Sequence, residues 1–222
     1  MSRTALIAGA SGLVGGHLLQ QLLAEPAYAH VAVLGRRPLP VNDPKATQHV
    51  IDFERLREAA NFPRADDVFC CLGTTIRKAG SQAAFIRVDF SYVLELARAA
   101  LAYGATQLLL VSSLGADPRS RFFYTRVKGE VEAAVAKLSY RAVHIFRPSL
   151  LLGERAERRT GERIGTVLAG VASPLLIGPL RKYRPVPAGV VAQAMFAAAR
   201  SGVVGVTVHD RLSELESRTG VQ

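Results

Sequence analysis

A serine, a tyrosine and a lysine in the middle of the chain have the types and spacing of a proton-transfer site. Tyr124 and Lys128 belong to the stretch Tyr-Thr-Arg-Val-Lys, and residues at this spacing share one face of a helix. An ammonium beside a phenol stabilises the phenolate, which otherwise forms only at a pH of about 10. Ser113 follows the apolar stretch 107–111. Its hydroxyl can hold a substrate carbonyl while Tyr124 exchanges a proton and a nicotinamide exchanges a hydride.

A glycine-rich loop near the start of the chain has the spacing of a pyrophosphate-binding turn. The apolar stretch Thr4 to Ala8 leads into Gly9-Ala-Ser-Gly12-Leu-Val-Gly15-Gly16. Glycines in the first turn let the backbone approach a pyrophosphate, and a later glycine lets the helix pack close to the sheet. The N–H groups at the start of the helix then hold the anion. The spacing G-x-x-G-x-x-G between a first strand and a first helix therefore predicts a dinucleotide site.

Two arginines after the second predicted strand indicate which dinucleotide is bound. Gly35-Arg36-Arg37 follows that strand, and no acidic residue occurs in 30–39. An acid at this place usually accepts hydrogen bonds from the ribose 2′-hydroxyl of NAD, whereas an arginine accommodates the 2′-phosphate of NADP. We therefore expect NADP as the cofactor, with NADPH preferred over NADH.

The elements that must position these residues alternate between short apolar strands and amphipathic helices. Strands are predicted at Thr4–Ala8, Val31–Leu34, Gln48–Ile51, Val68–Leu72, Gln107–Val111 and Ala142–Phe146, and helices at about 13–24, 54–60, 82–103, 121–138 and 188–200. Such alternation favours a parallel sheet with helices on both faces. The expected fold is α/β, a three-layer doubly wound parallel sheet of the NAD(P)-binding Rossmann type, in one domain over residues 1–222. The irregular stretch from about 149 to 222 is expected to add a small substrate-side cap.

Composition excludes several other classes. Hydrophobic residues make up 49% and charged residues 21%, an ordinary globular balance. No apolar run reaches the roughly 20 residues of a membrane span, and glycines interrupt the only stretch that imitates a signal peptide. We therefore expect a cytoplasmic protein with no membrane partner. The net charge of +10 is dispersed as pairs rather than gathered in a basic stripe, so nucleic acid is not expected either.

The cysteines and histidines predict no further chemistry. Cys70 and Cys71 are adjacent, and neighbouring strand residues point to opposite faces, which suits neither a disulfide nor a metal site. We expect buried free thiols. The histidines are scattered without ligand spacing, so no metal is predicted.

Taken together, these motifs resemble the short-chain dehydrogenase/reductase superfamily in its extended or atypical branch. The closest resemblance is to the oxidoreductase-like Tat-interacting protein family. Matching segments cover residues 5 to about 155, and they include GASGLVGGHLL, VAVLGRRPL, VIDFERL, FCCLGTT, LLLVSSLGAD and FFYTRVKGEVE, with KYRPVPAGVVAQAM in the tail.

The resemblance implies a complete set of site residues. The pyrophosphate is expected beside Gly9, Ser11, Gly12, Leu13 and Val14, the 2′-phosphate at Arg36 and Arg37, the adenine beside Asp52 and Phe53, and the adenosine along Cys71, Leu72 and Gly73. Ser113, Tyr124 and Lys128 take the catalytic positions. Tyr124 and Lys128 also line the cofactor, with Lys128 at the nicotinamide ribose and Pro148 near the carboxamide.

One residue departs from the superfamily pattern. Many members carry an Asn in the long middle helix, where it assists a proton relay, and this sequence has Asp89. Relatives in the Tat-interacting family share an acidic residue at that position, so the departure is consistent with the subfamily.

Three functions are consistent with these features. The leading hypothesis is an NADP-dependent oxidoreductase for a small carbonyl or alcohol, whose identity the sequence does not give. The alternative is a non-catalytic protein that senses NADP(H) and passes the redox state to a partner, as regulatory members of the family suggest. A nucleotide-sugar epimerase ranks third, because such enzymes need a large C-terminal region. The protein is expected to be a monomer or a homodimer.

Overall fold

The computed structural model describes residues 2–58, 62–152 and 184–212, without the side chains of 57 and 58. The elements in chain order are β1 (Arg3–Ala8), α1 (Leu13–Ala24), β2 (Tyr28–Gly35), β3 (Ala46–Val50), a 3-10 segment (Phe53–Glu58), β4 (Asp67–Cys70), α2 (Ile76–Ala79), α3 (Gln82–Ile86), a π-helical segment (Arg87–Ser91), α4 (Tyr92–Ala102), β5 (Gln107–Val111), α5 (Phe123–Val135), β6 (Ala142–Phe146), β7 (Leu151–Leu152), β8 (Val186–Pro187), α6 (Ala188–Arg200) and β9 (Gly205–His209).

The main sheet has seven strands in the order β3-β2-β1-β4-β5-β6-β9, and every pair is parallel. Leu6 of β1 lies between Ala32 of β2 and Val68 of β4. From β1 the chain adds β2 and β3 on one side of the sheet and then β4, β5 and β6 on the other. This reversal of strand order between β1 and β4 opens a crevice at the carboxyl ends of these two strands. The predicted parallel Rossmann-type sheet is thus confirmed.

Alternate strand residues form two apolar cores, one on each face of the sheet. Leu6 and Ala8 belong to the core that contains Leu96 of α4 and Val131 of α5. Ala5 and Ile7 belong to the other core, which the helices α1 and α6 cover. The near-continuous apolar character of β1 follows from burial on both faces.

The structure differs from the sequence-based expectation in several elements, and the short elements α2, β7 and β8 were not predicted at all. The long helix expected at about 82–103 is interrupted by the π-helical segment Arg87–Ser91. The helix expected at 54–60 is instead the 3-10 segment Phe53–Glu58. Strand β9, which pairs with β6, was not predicted from the sequence.

Most of the C-terminal part that the structure describes belongs to the main sheet and its layers, while β7 and β8 pair with each other in a separate two-stranded sheet. Helix α6 packs on α1, and β9 extends the sheet beyond β6. Residues 153–183 and 213–222, which make up a large part of the expected cap, lie outside the described residues.

Candidate functional site

The glycine loop is built so tightly that side chains are excluded from two positions. Gly9 has a φ of +87°, and a Cβ there would lie 2.4 Å from the Cys71 carbonyl oxygen. A Cβ on Gly15 would lie 2.2 Å from the Gly9 carbonyl oxygen. The backbone of this loop is therefore bare where α1 begins, and no side chain caps the helix at Gly12. Such a cradle fits a pyrophosphate bound by the first N–H groups of the helix.

The two predicted 2′-phosphate ligands lie at the next strand end. Arg36 and Arg37 directly follow β2, which pairs with β1, and both side chains are exposed. Ile51 N–H donates to the Gly35 carbonyl at 2.9 Å, so the chain after β3 is held beside the same turn.

The expected adenine residues follow β3 and differ from each other in exposure. Phe53 is buried, and its ring stacks on Tyr92 with centroids 5.5 Å apart. Asp52 is exposed and accepts a hydrogen bond from Glu54 N–H at 3.0 Å. Of this pair, only Asp52 offers its side chain to a ligand.

The loop that leaves β4 joins the glycine turn to the catalytic candidates. Cys71 N–H donates to the Ala8 carbonyl at 2.8 Å, and the Cys71 carbonyl faces Gly9. Two residues further on, a Cβ on Gly73 would lie 3.7 Å from Lys128 Nζ. The run Cys71, Leu72 and Gly73 thus extends from the glycine loop to Lys128.

Lys128 is buried in an ion pair that the sequence motif does not contain. Its Nζ lies 2.7 Å from Asp89 Oδ1, and both side chains are almost fully enclosed. Burial alone would lower the pKa of Lys128, but the Asp89 carboxylate, with a smaller effect from Tyr124, raises it above its ordinary value. Lys128 therefore carries its positive charge at neutral pH.

Tyr124 lies on the first turn of α5, one turn before Lys128. It is half-buried, and its ring lies 5.5 Å from the ring of Phe85 on α3. Phe85 thus packs against the ring that carries the candidate proton donor.

The adjacent serines at the end of β5 have different partners. Ser112 is buried, and its hydroxyl donates to the Glu132 carboxylate. Ser113 is half-buried, and the contact recorded for its hydroxyl is a long one, 3.4 Å from the Leu114 carbonyl. Leu114 N–H donates to the carbonyl of the buried Pro148 at 2.8 Å, which joins the ends of β5 and β6. Ser113 is therefore the serine suited to a ligand.

The predicted site residues thus lie at one edge of the sheet, at the ends of β1 to β6 and the starts of α1 and α5. The motifs did not identify the residues that hold this edge together, namely Thr74, Gly129, Glu132 and Arg147. Only Gly129 gave a sequence signal, because a glycine inside a helix costs about 1 kcal/mol relative to alanine and usually has a packing reason. A Cβ on Gly129 would lie 2.2 Å from backbone atoms of Asp117 and Pro118.

The two cysteines are free thiols, as expected, but only one is fully buried. Cys70 ends β4, whereas Cys71 lies beyond the strand and is partly exposed. Burial raises the pKa of the Cys70 thiol to about 11 and also raises the pKa of Cys71. Both are protonated at neutral pH, which makes them poor nucleophiles.

No helix in the part of the chain that the structure describes is long and apolar enough to span a membrane.

Comparison with known proteins identifies the same family from sequence. Residues 5–206 match the family described as NAD dependent epimerase/dehydratase family. The chain is 45% identical over 165 residues to Protein HTATIP2 of Rattus norvegicus, covering 72% of this chain and 68% of the relative. It is 35% identical over 213 residues to "Protein fmp52, mitochondrial" of Aspergillus clavatus, covering 92% and 90% of the two chains. The first relative confirms the resemblance to the Tat-interacting family.

Solved structures share the fold at low identity. MoeE5 in complex with UDP-glucose and NAD has a TM-score of 0.69 at 18% identity, covering 92% of this chain and 74% of that one. Human epimerase family protein SDR39U1 with NADPH has a TM-score of 0.62 at 20% identity, covering 93% and 73%.

The relatives also overturn one expectation and establish another. Several fungal relatives are named mitochondrial, which contradicts the expected cytoplasmic location. That expectation rested on composition and on an interrupted N-terminal apolar run, neither of which reports where a folded domain is delivered. The family match over residues 5–206 covers both the glycine loop and the helix that carries Tyr124 and Lys128. The chain therefore belongs to the NAD-dependent epimerase/dehydratase family.

Proposed function

We propose that this protein is an NADP-dependent oxidoreductase that acts on a small carbonyl or alcohol. The observation that carries the proposal is the path from Gly9 through Cys71 to Gly73 and Lys128, in which each step is a close contact. Because of this path, a dinucleotide whose pyrophosphate lies on the glycine loop would extend its other half toward Lys128 and Tyr124.

Each of the three polar side chains has a role in this chemistry. The bound cofactor supplies or accepts a hydride. Ser113 donates a hydrogen bond to the substrate oxygen, and Tyr124 gives that oxygen a proton in reduction or takes one in oxidation. Lys128 holds a positive charge beside the phenol and donates to the nicotinamide ribose.

The choice of NADP rests on Arg36 and Arg37, which are exposed at the end of β2 where an acid would favour NAD. A charged hydrogen bond contributes roughly 1.5–3 kcal/mol, and exposure places these two at the lower end of that range. Calorimetric titration of nucleotide-free protein should therefore give tighter binding of NADPH than of NADH. The double change Arg36→Ala with Arg37→Ala should weaken NADPH binding at least about tenfold and affect NADH much less.

The control for this titration is Arg98→Ala, which removes a positive charge from α4, where Arg98 pairs with Glu95. It should leave binding of both nucleotides unchanged. Equal losses of NADPH and NADH in the double variant would refute the assignment of these arginines to the 2′-phosphate.

Turnover tests the catalytic half of the proposal. A panel of small aldehydes and ketones is screened with NADPH, and any substrate found is then tested with Tyr124→Phe and Ser113→Ala. Loss of a positioned proton donor should lower kcat by about 10²–10⁴-fold, while NADPH binding changes little. Tyr103→Phe, at the other end of the sheet, serves as the control. Unchanged turnover by Tyr124→Phe would exclude the proposed proton transfer.

Two other functions are outcomes of the same experiments. Tight NADPH binding without turnover of any carbonyl, together with a partner that binds only one redox state, would favour an NADP(H) sensor. A calorimetric response to UDP-glucose would favour a nucleotide-sugar enzyme, in line with the family description and with MoeE5.

A further inference from the structure

The side chain that holds Lys128 comes from a different helix. Asp89 lies in the π-helical segment between α3 and α4, and it is completely buried. Its Oδ1 lies 2.7 Å from Lys128 Nζ, and its Oδ2 accepts a hydrogen bond from Thr74 N–H at 2.9 Å. One carboxylate thus connects the helix that carries Tyr124 and Lys128 to the loop that leaves β4.

The surroundings of this carboxylate leave it little freedom. A Cβ on Gly73 would lie 3.4 Å from Asp89 Oδ1, so the loop backbone approaches the ion pair directly. Segments of π-helix are rare and are frequent at functional sites, and this one brings Asp89 inward from an otherwise α-helical run. Besides Asp89, the groups that act on the charge of Lys128 are the Tyr124 phenol and the Cys70 thiol.

We propose that Asp89 is a positioning residue that holds the Lys128 ammonium against the Gly73–Thr74 loop, where the nicotinamide half of the cofactor lies. The inference rests on the proposed function, since it concerns the same cofactor site. Asp89 acts through Lys128 and does not touch the cofactor itself. Without the carboxylate, the long lysine side chain would be free to leave this position, and its hydrogen bond to the ribose would weaken.

Asp89→Asn tests this role with almost no change of shape. The carboxylate faces the Lys128 ammonium with one oxygen and the Thr74 N–H with the other, whereas an amide has one oxygen and must turn its NH₂ toward one of these donors. The probes are NADPH and 2′,5′-ADP, which carries the adenosine half of NADPH without the nicotinamide ribose. We expect Asp89→Asn to weaken NADPH binding about tenfold and to leave 2′,5′-ADP binding within about twofold of the wild type.

A thermodynamic cycle shows whether Asp89 acts through Lys128. Lys128→Met removes the ammonium, and the combination Asp89→Asn with Lys128→Met leaves no unpaired buried charge. In the Lys128→Met background, adding Asp89→Asn should change NADPH binding by less than about twofold. This comparison also serves if the single Asp89→Asn variant does not fold.

A matched control lies at the opposite end of β4. Asp67 is also completely buried and paired, with Arg3 and with the Tyr28 hydroxyl. Asp67→Asn retains an acceptor for Tyr28, and Arg3, which is 33% exposed, keeps access to water. We expect it to lower thermal stability without changing the ratio of NADPH to 2′,5′-ADP affinity.

The outcomes separate this inference from the proposed function. If wild-type protein binds neither probe, the proposed function fails and the role of Asp89 fails with it. If wild-type protein binds both, the inference is overturned by equal weakening of the two probes in Asp89→Asn, or by an undiminished Asp89→Asn effect in the Lys128→Met background. Selective weakening of NADPH that disappears in that background establishes the positioning role.

Discussion

Glu132 and Arg147 form a bidentate ion pair that links helix α5 to the end of strand β6. Arg147 Nε lies 3.1 Å from each oxygen of the Glu132 carboxylate, and Nη2 lies 2.5 Å from Oε2. The Ser112 hydroxyl donates to the same carboxylate. Glu132 follows Lys128 by one helical turn and Tyr124 by two, so the carboxylate fixes the helix face that carries both.

Glu132→Ala is therefore expected to destabilise the protein. Breaking a buried ion pair costs about 3–5 kcal/mol, and the lower end applies here because Arg147 is 27% exposed and can regain water. The free energy of unfolding in urea measures the loss. The matched control is Glu130→Ala on the same helix, because Glu130 lies 3.9 Å from Arg126 in an exposed pair and should cost under about 0.5 kcal/mol. A similar loss in both variants would show that the buried pair contributes nothing special.

The glycine loop offers a second matched comparison. Gly9→Ala should be destabilising for two reasons. The backbone φ of +87° is strained for alanine, and the added Cβ would overlap the Cys71 carbonyl oxygen at 2.4 Å. A Cβ on the helical Gly16 would meet the Ala10 carbonyl oxygen at 3.6 Å, an ordinary contact. Gly16→Ala should then stabilise the helix by about 0.5–1 kcal/mol, whereas Gly9→Ala should lower the melting temperature and abolish NADPH binding. Thermal unfolding with and without NADPH measures both. Normal binding by Gly9→Ala would contradict the tight turn.

Local pattern predicted most of the fold because its strands are buried and its helices are regular. The expected elements Leu13–Ala24, Gln107–Val111, Ala142–Phe146 and Ala188–Arg200 coincide with α1, β5, β6 and α6. Strand β9 was missed because it is an edge strand with one neighbour, whose Val206 and Val208 are 52% and 43% exposed. The strand therefore lacks the continuous burial that gives an inner strand its apolar run. The π-helical segment was missed because one widened turn barely alters an apolar period.

The candidate site divides in the same way between local motif and tertiary contact. Tyr124 and Lys128, like Gly9 and Gly12, are close in sequence, so their spacing carries the signal. Glu132 with Arg147 and Asp89 with Thr74 join separate elements. Such pairs form only when the helices pack on the sheet in one particular arrangement. The spacing of residues along a single sequence does not predict that arrangement.

Gly129 is predicted to set the distance between α5 and the loop before it. A Cβ at this position would lie 2.2 Å from the Asp117 carbonyl carbon and from the Pro118 nitrogen. Gly129→Ala cannot be accommodated by a side-chain rotation, because the contacts are backbone atoms, and α5 would have to move with Tyr124 and Lys128. We expect a loss of about 1–3 kcal/mol and slower turnover of any substrate found.

The control for Gly129→Ala is Gly104→Ala. Gly104 has a φ of +96° but no atom within 4 Å of an added Cβ. It should therefore cost stability through backbone strain alone and leave turnover intact. If the Gly129 variant loses stability but retains full turnover, the glycine serves packing and not the site.

Stability should also depend on pH through His144 and His209, which face each other across β6 and β9. His144 Nδ1 lies 3.1 Å from His209 Nε2, and His144 is almost completely buried. Burial lowers the pKa of both rings. The neighbouring His209 lowers the pKa of His144 further, whereas Asp210 opposes the lowering at His209 only in part. The folded protein therefore keeps both histidines neutral at a pH where the unfolded chain, with a pKa of about 6.5, already binds protons.

The sign of this effect follows from proton binding. Below a pH of about 6.5 the unfolded state takes up more protons than the folded state, so stability is present above that pH and is lost as the pH falls toward the folded pKa values. We expect the difference in urea unfolding free energy between the wild type and His144→Phe, which keeps a ring but cannot titrate, to decrease from about pH 7 to pH 5. The buried Asp67 carboxyl, whose pKa burial raises to about 6, acts in the same range with the opposite sign and cancels in this difference. His17→Gln, at an exposed position on α1, should leave the slope unchanged. An equally steep slope in His144→Phe would assign the acid sensitivity to groups outside this pair.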